Sequence, residues 1–217
     1  MKVLVIDVGG TAIKAIATGH RTRVRIPSGP TLTPEEMVRQ VQEAAAGWEY
    51  DVVSIGYPGP VKDGKPTKEP KNLGRGWVGF NFERAFGRPV KVVNDAAMQA
   101  LGSYEKGTML FLGLGTGLGS TLILDGVLAP LELAHLPYKK GRTYEEYVGK
   151  AGLRQFGKRK WRKHVVDVIA RLSAALEADD VVLGGGNAKL IKRLPPGVRS
   201  GSNGHAFLGG FRLWSHL

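Results

Sequence analysis

Four short polar stretches in this chain carry residues of the type and spacing that chemistry on phosphates and hydroxyls requires. The first is Asp7-Val8-Gly9-Gly10-Thr11, with Lys14 three residues on. It sets a carboxylate at a strand end, then two glycines whose bare backbone lets N–H groups approach a phosphate oxygen, then a hydroxyl donor. The second, Gly113-Leu114-Gly115-Thr116-Gly117-Leu118-Gly119, offers the same glycines and hydroxyl a hundred residues later, without the carboxylate. Neither is a Walker loop, because the G-x-x-x-x-G-K-[ST] spacing is absent, and the second is followed by strand residues where a dinucleotide fold needs a helix. Taken alone, each is equally a hairpin turn whose polar residues satisfy backbone groups.

The third stretch is Asn94-Asp95, after the apolar run Pro89-Val90-Lys91-Val92-Val93. An amide that orients a hydroxyl beside a carboxylate that accepts its proton is what phosphoryl transfer to an alcohol uses. Read alone, Asp95 before Ala96-Ala97-Met98 is more simply a helix N-cap. The fourth is Glu132-Leu133-Ala134-His135, with Glu145 ten residues on. Two carboxylates and an imidazole suit either a divalent ion or several sugar hydroxyls.

These residues need a scaffold, and the apolar pattern supplies one. Residues 2–7, 12–18 and 23–27 read as a three-stranded meander. Thr33-Pro34-Glu35-Glu36 then caps a helix carrying Met37, Val38, Val41 and Ala45 at helical spacing. Residues 51–56 and 89–93 are buried-strand patterns that run into polar loops. The second half repeats this grammar with strands at 109–114 and 120–124, helical periodicity over about 143–178 broken near Gly152 and Gly157, and a strand at 180–183 entering Gly184-Gly185-Gly186. Residues 207–214 suggest a closing helix. Alternating strands and helices imply an α/β fold with function in the loops beyond the strands' carboxyl ends. The repeated glycine-threonine turn implies two similar lobes.

Composition narrows the class. Thirty-one Lys and Arg against nineteen Asp and Glu give +12, with a 42% hydrophobic fraction and no cysteine. Disulfides and a Cys-ligated zinc are thereby excluded, and nothing marks the chain for export, so the cytoplasm is the expected location. No run approaches the roughly 20 apolar residues needed to cross a bilayer, and no membrane partner is expected. The charge points to a polyanionic partner or to a solvated surface, and the cluster Arg154, Lys158, Arg159, Lys160, Arg162 and Lys163 serves either. Nucleic acid, hinted at by Trp161 among the lysines, lacks a reading motif and is a minor option.

Taken together and in order, Asp7 to Lys14, Gly56-Tyr57-Pro58-Gly59, Asn72-Leu73, Asn94-Asp95-Ala96, Gly113 to Gly119, Glu132 to His135 and Gly184-Gly185-Gly186 resemble the ROK family of sugar kinases and regulators. Within it the chain is most similar to the polyphosphate glucokinase branch, through Thr33-Pro34-Glu35, Trp77-Val78-Gly79, Gly87-Arg88-Pro89-Val90 and Leu183 to Lys189. The resemblance implies a two-lobed, actin-like (ribonuclease H-like) ATPase fold with a central cleft, the lobes spanning residues 1–94 and 95–217 and the C-terminal helix packing back on the first. It also implies that Asp95 is the base that takes the proton from the 6-hydroxyl of glucose or a close hexose. Gly59, Asn72, Asn94, Glu132, His135 and Glu145 would contact the sugar. Gly9, Gly10, Thr11, Lys14, Gly115, Thr116, Gly117, Gly184 and Gly185 would hold a donor, polyphosphate or ATP, with Asp7 acting on magnesium directly or through water.

A homodimer is implied as well, and a non-catalytic sugar- or anion-binding relative is the competing reading. Two departures bear on the hexose. Ala134 replaces the glycine of the family's E-x-G-H, and the segment from His135 to Thr143 is short and basic. The cysteine cluster of zinc-bearing members is missing, so no structural zinc is expected.

Overall fold

The computed structural model describes residues 1–202 and 204–215, and the side chain of Pro130 is outside the description. The chain divides into two compact units, residues 1–98 with 206–217 and residues 99–205.

The first unit is built on a five-stranded sheet. Strands β1 (Val3–Val8), β2 (Ala12–Ala17) and β3 (Val24–Pro27) form the antiparallel meander, helix α1 (Pro34–Ala44) follows, and β4 (Val52–Tyr57) returns parallel to β1. A small hairpin, β5 (Val61–Lys62) and β6 (Lys65–Pro66), and a short helix α2 (Phe82–Phe86) precede β7 (Val90–Asn94), which runs parallel to β4. Helix α3 (Asp95–Ser103) starts directly from the end of β7. The sheet order is β3-β2-β1-β4-β7. Central β1 is buried on both faces, and its alternation divides two cores. Leu4, Ile6 and Val8 join Met37, Val38, Val41 and Trp77, while Val3 and Val5 pack with Val52, Met98 and Phe207. Helix α1 begins as its sequence predicts, with Thr33 Oγ1 accepting from Glu36 N and Pro34 in the first turn. The edge strand β3 is short and carries Arg25 and Pro27 on its exposed side, which disfavours pairing with another chain.

The second unit repeats the plan. Strands β8 (Thr108–Leu114), β9 (Leu118–Leu124) and β10 (Val127–Leu131) form an antiparallel meander. A 3-10 turn at Leu133–His135 leads to the hairpin β11 (Pro137–Lys139) and β12 (Arg142–Thr143), then to helices α4 (Tyr144–Val148) and α5 (Lys150–Ala175). Strands β13 (Asp180–Gly184) and β14 (Val198–Ser200) run parallel to β8, giving the order β10-β9-β8-β13-β14. Leu110, Leu112 and Leu114 of β8 share a core with Tyr147, Trp161, Val165, Ile169 and Leu172 of the helices.

Helix α6 (His205–Arg212) is the last helix among the described residues. Its turn at Gly210 lies against Val5 in the first unit, where an added Cβ would fall 2.1 Å from Val5 Cγ1. The contact is held by Ser54 Oγ donating to Gly210 O at 2.6 Å and by Trp214 Nε1 donating to Ser54 Oγ at 2.9 Å.

The sequence pattern placed a helix break near Gly152. The break lies at Gly149, which is extended (φ −74°, ψ −177°) and separates α4 from α5. Gly152 is helical and buried; a Cβ there would sit 2.1 Å from Tyr147 O, so this glycine serves close packing instead of a turn. The kink at Gly157 is present, with φ 69° and ψ 160° inside α5. Trp161, read as an aromatic among lysines, is fully buried and donates its Nε1–H to Val148 O at 2.8 Å. It is a core residue, and the basic face of α5 has no stacking ring at that position.

Candidate active site

In the first unit, the candidate residues gather at the carboxyl ends of β1, β4 and β7. The turn after β1 is closed by Gly9 N donating to Ala12 O at 3.1 Å and by Ser28 Oγ donating to Gly9 O at 2.5 Å. The turn is crowded: a Cβ on Gly9 would collide with Ala12 O at 2.7 Å, and one on Gly10 would press tightly on Asn72 Cβ at 3.0 Å. Asn72 therefore lies directly against the glycine turn. Antiparallel register puts Lys14 opposite Asp7, with Nζ 3.1 Å from Asp7 Oδ2. The pattern can present backbone donors and one cation to an anion, with a carboxylate beside them.

The end of β7 separates two roles that the sequence left merged. Asn94 is the helix cap: its Oδ1 accepts from Ala96 N at 2.9 Å and from Ala97 N at 3.3 Å, while its Nδ2 donates to Gly59 O at 2.9 Å. The expectation that Asp95, read alone, is the cap is thereby corrected. Asn94 already takes the N–H groups of Ala96 and Ala97, and Asp95 enters the first helical turn with a 2.8 Å bond from Ala96 N to its Oδ1. No Lys, Arg or His among the described residues forms an ion pair with it. Asp95 has surface open to solvent, so a ligand can reach it, yet the protein packed around it withdraws hydration from the ionised form. That desolvation, with the Asp7 carboxylate adding to it, pushes the Asp95 pKa up to about 6 against the opposing bond from Ala96. A carboxylate poised there can accept a proton from a hydroxyl near neutral pH.

In the second unit, the turn Gly115–Gly117 is clamped from two sides. Asn187 donates Nδ2 to Gly115 O at 3.0 Å and its N–H to Leu114 O at 2.9 Å. Gly185 (φ 81°) lies so close to Leu114 that a Cβ would approach Leu114 O to 2.5 Å. Lys150 N donates to Thr116 O at 3.0 Å. Glu145 passes over Gly117, its Oε2 2.0 Å from where a Cβ would stand. The structure thus brings Glu145 to Gly117, and Gly185 to Leu114 at the start of the turn.

Glu132 and His135 flank the 3-10 turn. With three residues per turn they lie on one side, with Nε2 and Oε2 4.0 Å apart and both side chains about 70% exposed. The turn is fixed to β9 by Ser120 Oγ, which donates to Leu131 O at 2.7 Å and accepts from Leu133 N at 3.1 Å. Ala134 points its methyl into the second unit's core, so the loss of glycine is absorbed on the side away from Glu132 and His135. Among the described residues, no three His, Cys, Asp or Glu side chains gather as a metal site.

Sequence reasoning passed over Ser28, Ser120 and Asn187 as site residues. Each acts by holding a backbone carbonyl or N–H of a functional turn, and such a role has no periodicity to reveal it.

The ROK family pattern matches residues 3–130. The chain belongs to the ROK family. Over 213 aligned residues it is 27% identical to the polyphosphate glucokinase of Mycobacterium tuberculosis (strain H37Ra), covering 88% of this chain and 80% of that protein. It is 31% identical over 181 residues to the glucokinase of Pyrobaculum calidifontis, covering 71% and 60% respectively. The crystal structure of the inorganic polyphosphate/ATP-glucomannokinase from Arthrobacter sp. strain KM superposes with a TM-score of 0.79 at 25% identity, over 96% of both chains. The ROK hexokinase of Thermus thermophilus (TM-score 0.71, 24% identity, 97% of both chains) supports the fold alone. This ROK chain therefore has the actin-like ATPase fold expected from its motifs. No helix among its described residues is long and apolar enough to cross a membrane.

Proposed function

We propose that this ROK chain is a glucokinase that transfers a phosphoryl group to the 6-hydroxyl of glucose. Its similarity to polyphosphate glucokinase and glucokinase supports the reaction class. The observation that carries the chemistry is Asp95: reachable by a ligand, paired with no cation among the described residues, and raised to about 6 by its surroundings. In the reaction, the sugar hydroxyl gives its proton to Asp95 while its oxygen forms a bond to the donor's terminal phosphorus and the bond to the leaving phosphate breaks. Asn94, held by Gly59 O, orients the hydroxyl, and Asn72 lies beside the first glycine turn. Glu132, His135 and Glu145 hydrogen-bond other sugar hydroxyls. Gly9, Gly10, Thr11, Lys14, Gly115, Thr116 and Gly117 hold donor phosphates, with Gly184 and Gly185 bordering the donor.

Magnesium suits the first turn. Such an ion keeps several waters and takes one or two carboxylates together with phosphate oxygens. Asp7 supplies one carboxylate beside Gly9, where a Cβ would collide with Ala12 O. Bound there, the ion would neutralise developing charge on the donor.

For the donor we favour polyphosphate alongside ATP. Arg154, Lys158, Arg159, Lys160 and Lys163 are exposed on α5, and no acidic partner pairs with any of them among the described residues. A dense cluster of cations raises the local concentration of a polyanion. Charge reversal is unnecessary to test this. Neutralising Lys158, Arg159 and Lys160 together should raise the apparent KM for long-chain polyphosphate several-fold, leave that for ATP within about twofold, and reduce the salt sensitivity of the polyphosphate reaction. Equal effects on both donors would reject the track.

The deciding assay supplies magnesium and glucose with ATP or with long-chain polyphosphate and follows glucose 6-phosphate. Product from either donor is the expected result. No product from either, across a panel of hexoses, would reject the kinase reading.

A further inference from the structure

The segment 132–145 carries three of the groups proposed to bind the sugar, and it enters the core through Ala134 and Tyr144, with Leu133 and Tyr138 packed against it. Glu132 and His135 are largely exposed, and between His135 and Glu145 the chain makes only the hairpin β11–β12. Exposed side chains on such a segment are placed no better than their backbone. On the upstream side the backbone is tied to β9 through Ser120. On the hairpin itself, Tyr138 and Lys139 reach Asp167 of α5 and Arg142 reaches Gln155; of the three, Tyr138 is the one packed against the second unit's core.

Tyr138 Oη lies 2.5 Å from Asp167 Oδ2 and 3.1 Å from His164 Nδ1. A phenol has one proton to give, and the carboxylate can only accept, so Tyr138 donates to Asp167 and accepts from His164 Nδ1–H. The resulting chain, imidazole to phenol to carboxylate, is polarised in one direction and ends on a charge. Asp167 Oδ2 also takes Lys139 Nζ at 3.0 Å and Arg171 Nε at 3.2 Å. The ring of Tyr138 meets Tyr147 and His164 edge-on, at 4.9 and 5.8 Å, and Tyr144 at 5.3 Å. Tyr144 and Tyr147 belong to α4, the helix whose first turn contains Glu145, and Tyr144 N donates to Leu136 O at 3.1 Å. One side chain thus joins the hairpin, the helix bearing Glu145 and the long helix behind both.

We propose that Tyr138, anchored on Asp167 and His164, is a positioning residue that sets Glu132, His135 and Glu145 for the sugar. The assignment of those three groups rests on the glucokinase reading above; the anchor itself rests only on the contacts.

The test uses the full chain with Tyr138→Phe, which keeps the ring and removes the hydroxyl, and Asp167→Asn, which keeps the shape and removes the charge. Steady-state kinetics with glucose and ATP are combined with amide hydrogen exchange read by mass spectrometry. For both variants we expect KM for glucose to rise about tenfold, the scale of one lost charge-assisted hydrogen bond. KM for ATP and kcat at saturating glucose should stay within about twofold. Exchange should rise over residues 132–146 while 109–124 keep their protection. Unchanged exchange over 132–146 would overturn the anchor whatever the substrate. A uniform rise across the whole second unit would reduce Tyr138 to a stability residue and overturn the positioning role. Raised exchange in 132–146 with an unaltered glucose KM would overturn the link to the sugar. Failure of the unmodified protein to phosphorylate glucose with either ATP or polyphosphate would instead reject the glucokinase reading, and the exchange data would still decide the anchor.

Discussion

Replacing Asp95 by Asn should lower kcat by about 10²–10⁴, the usual contribution of a positioned general base, while the dissociation constant for glucose changes by less than about threefold. The amide keeps the shape of the carboxyl and the bond from Ala96 N, and it loses the ability to accept a proton. Asn94, which does the capping, is untouched, so the helix should start normally. Isothermal titration with glucose beside initial-rate kinetics separates the two effects; lost binding with lost turnover would make Asp95 a structural residue.

The pH dependence follows from the same group. The base must be ionised to work, so kcat/KM should fall as pH drops through about 6. For stability the sign is opposite to that of an ordinary salt-bridged aspartate. The folded-state pKa lies above the unfolded value, so folding favours the protonated form. Stability is fully present below the unfolded pKa near 3.8 and is lost as pH rises through about 6. Asp95→Asn should therefore melt at the same temperature or higher than the parent at pH 7.5, and that advantage should vanish near pH 4. A variant that is inactive and less stable at pH 7.5 would contradict this account.

The second large effect is expected at Gly185. Its φ of 81° is strained for any residue with a Cβ, and the added methyl of Gly185→Ala would press on Leu114 O, C and N, all within 2.8 Å. Backbone cannot swing aside as a side-chain end can. Strain of this kind costs about 1–3 kcal/mol, which for a chain of this size lowers Tm by roughly 3–10 °C. The collision falls where Asn187 clamps Leu114 and Gly115. The turn Gly115–Gly117 should shift with it, raising the donor KM by on the order of tenfold with the glucose affinity little changed. Gly186→Ala is the matched control for melting: nothing lies within 4 Å of its Cβ and its φ is not positive, so its Tm should stay within about 1 °C. Equal melting of the two variants would show that the tight approach at Gly185 is not what the turn depends on.

Much of the scaffold was legible because its signals are local. Short apolar runs mark β1, β4, β7 and β8, the Thr33-Pro34 pair marks the start of α1, and Gly157 marks the kink in α5. The break assigned to Gly152 failed for a physical reason: glycine both permits turns and permits close packing, and only the nearness of Tyr147 O shows which applies. The same ambiguity covered Trp161, whose lysine neighbours suggested a surface ring although its own position on α5 faces the core.

At the candidate site, the residue types were written in the chain: a carboxylate and lysine around a glycine turn, an asparagine-aspartate pair at a strand end, an acid and a histidine three apart. Their order along the chain, with the apolar periodicity, also determined the family and the α/β class. Tertiary structure alone decided which of Asn94 and Asp95 caps the helix, because that depends on where backbone N–H groups point. It decided too that Asn187 clamps Gly115 from 72 residues away, that Glu145 crosses Gly117, and that Tyr138 finds Asp167 across 29 positions. Those contacts join residues far apart in sequence, and chain folding sets their distances while local propensity has no hold on them.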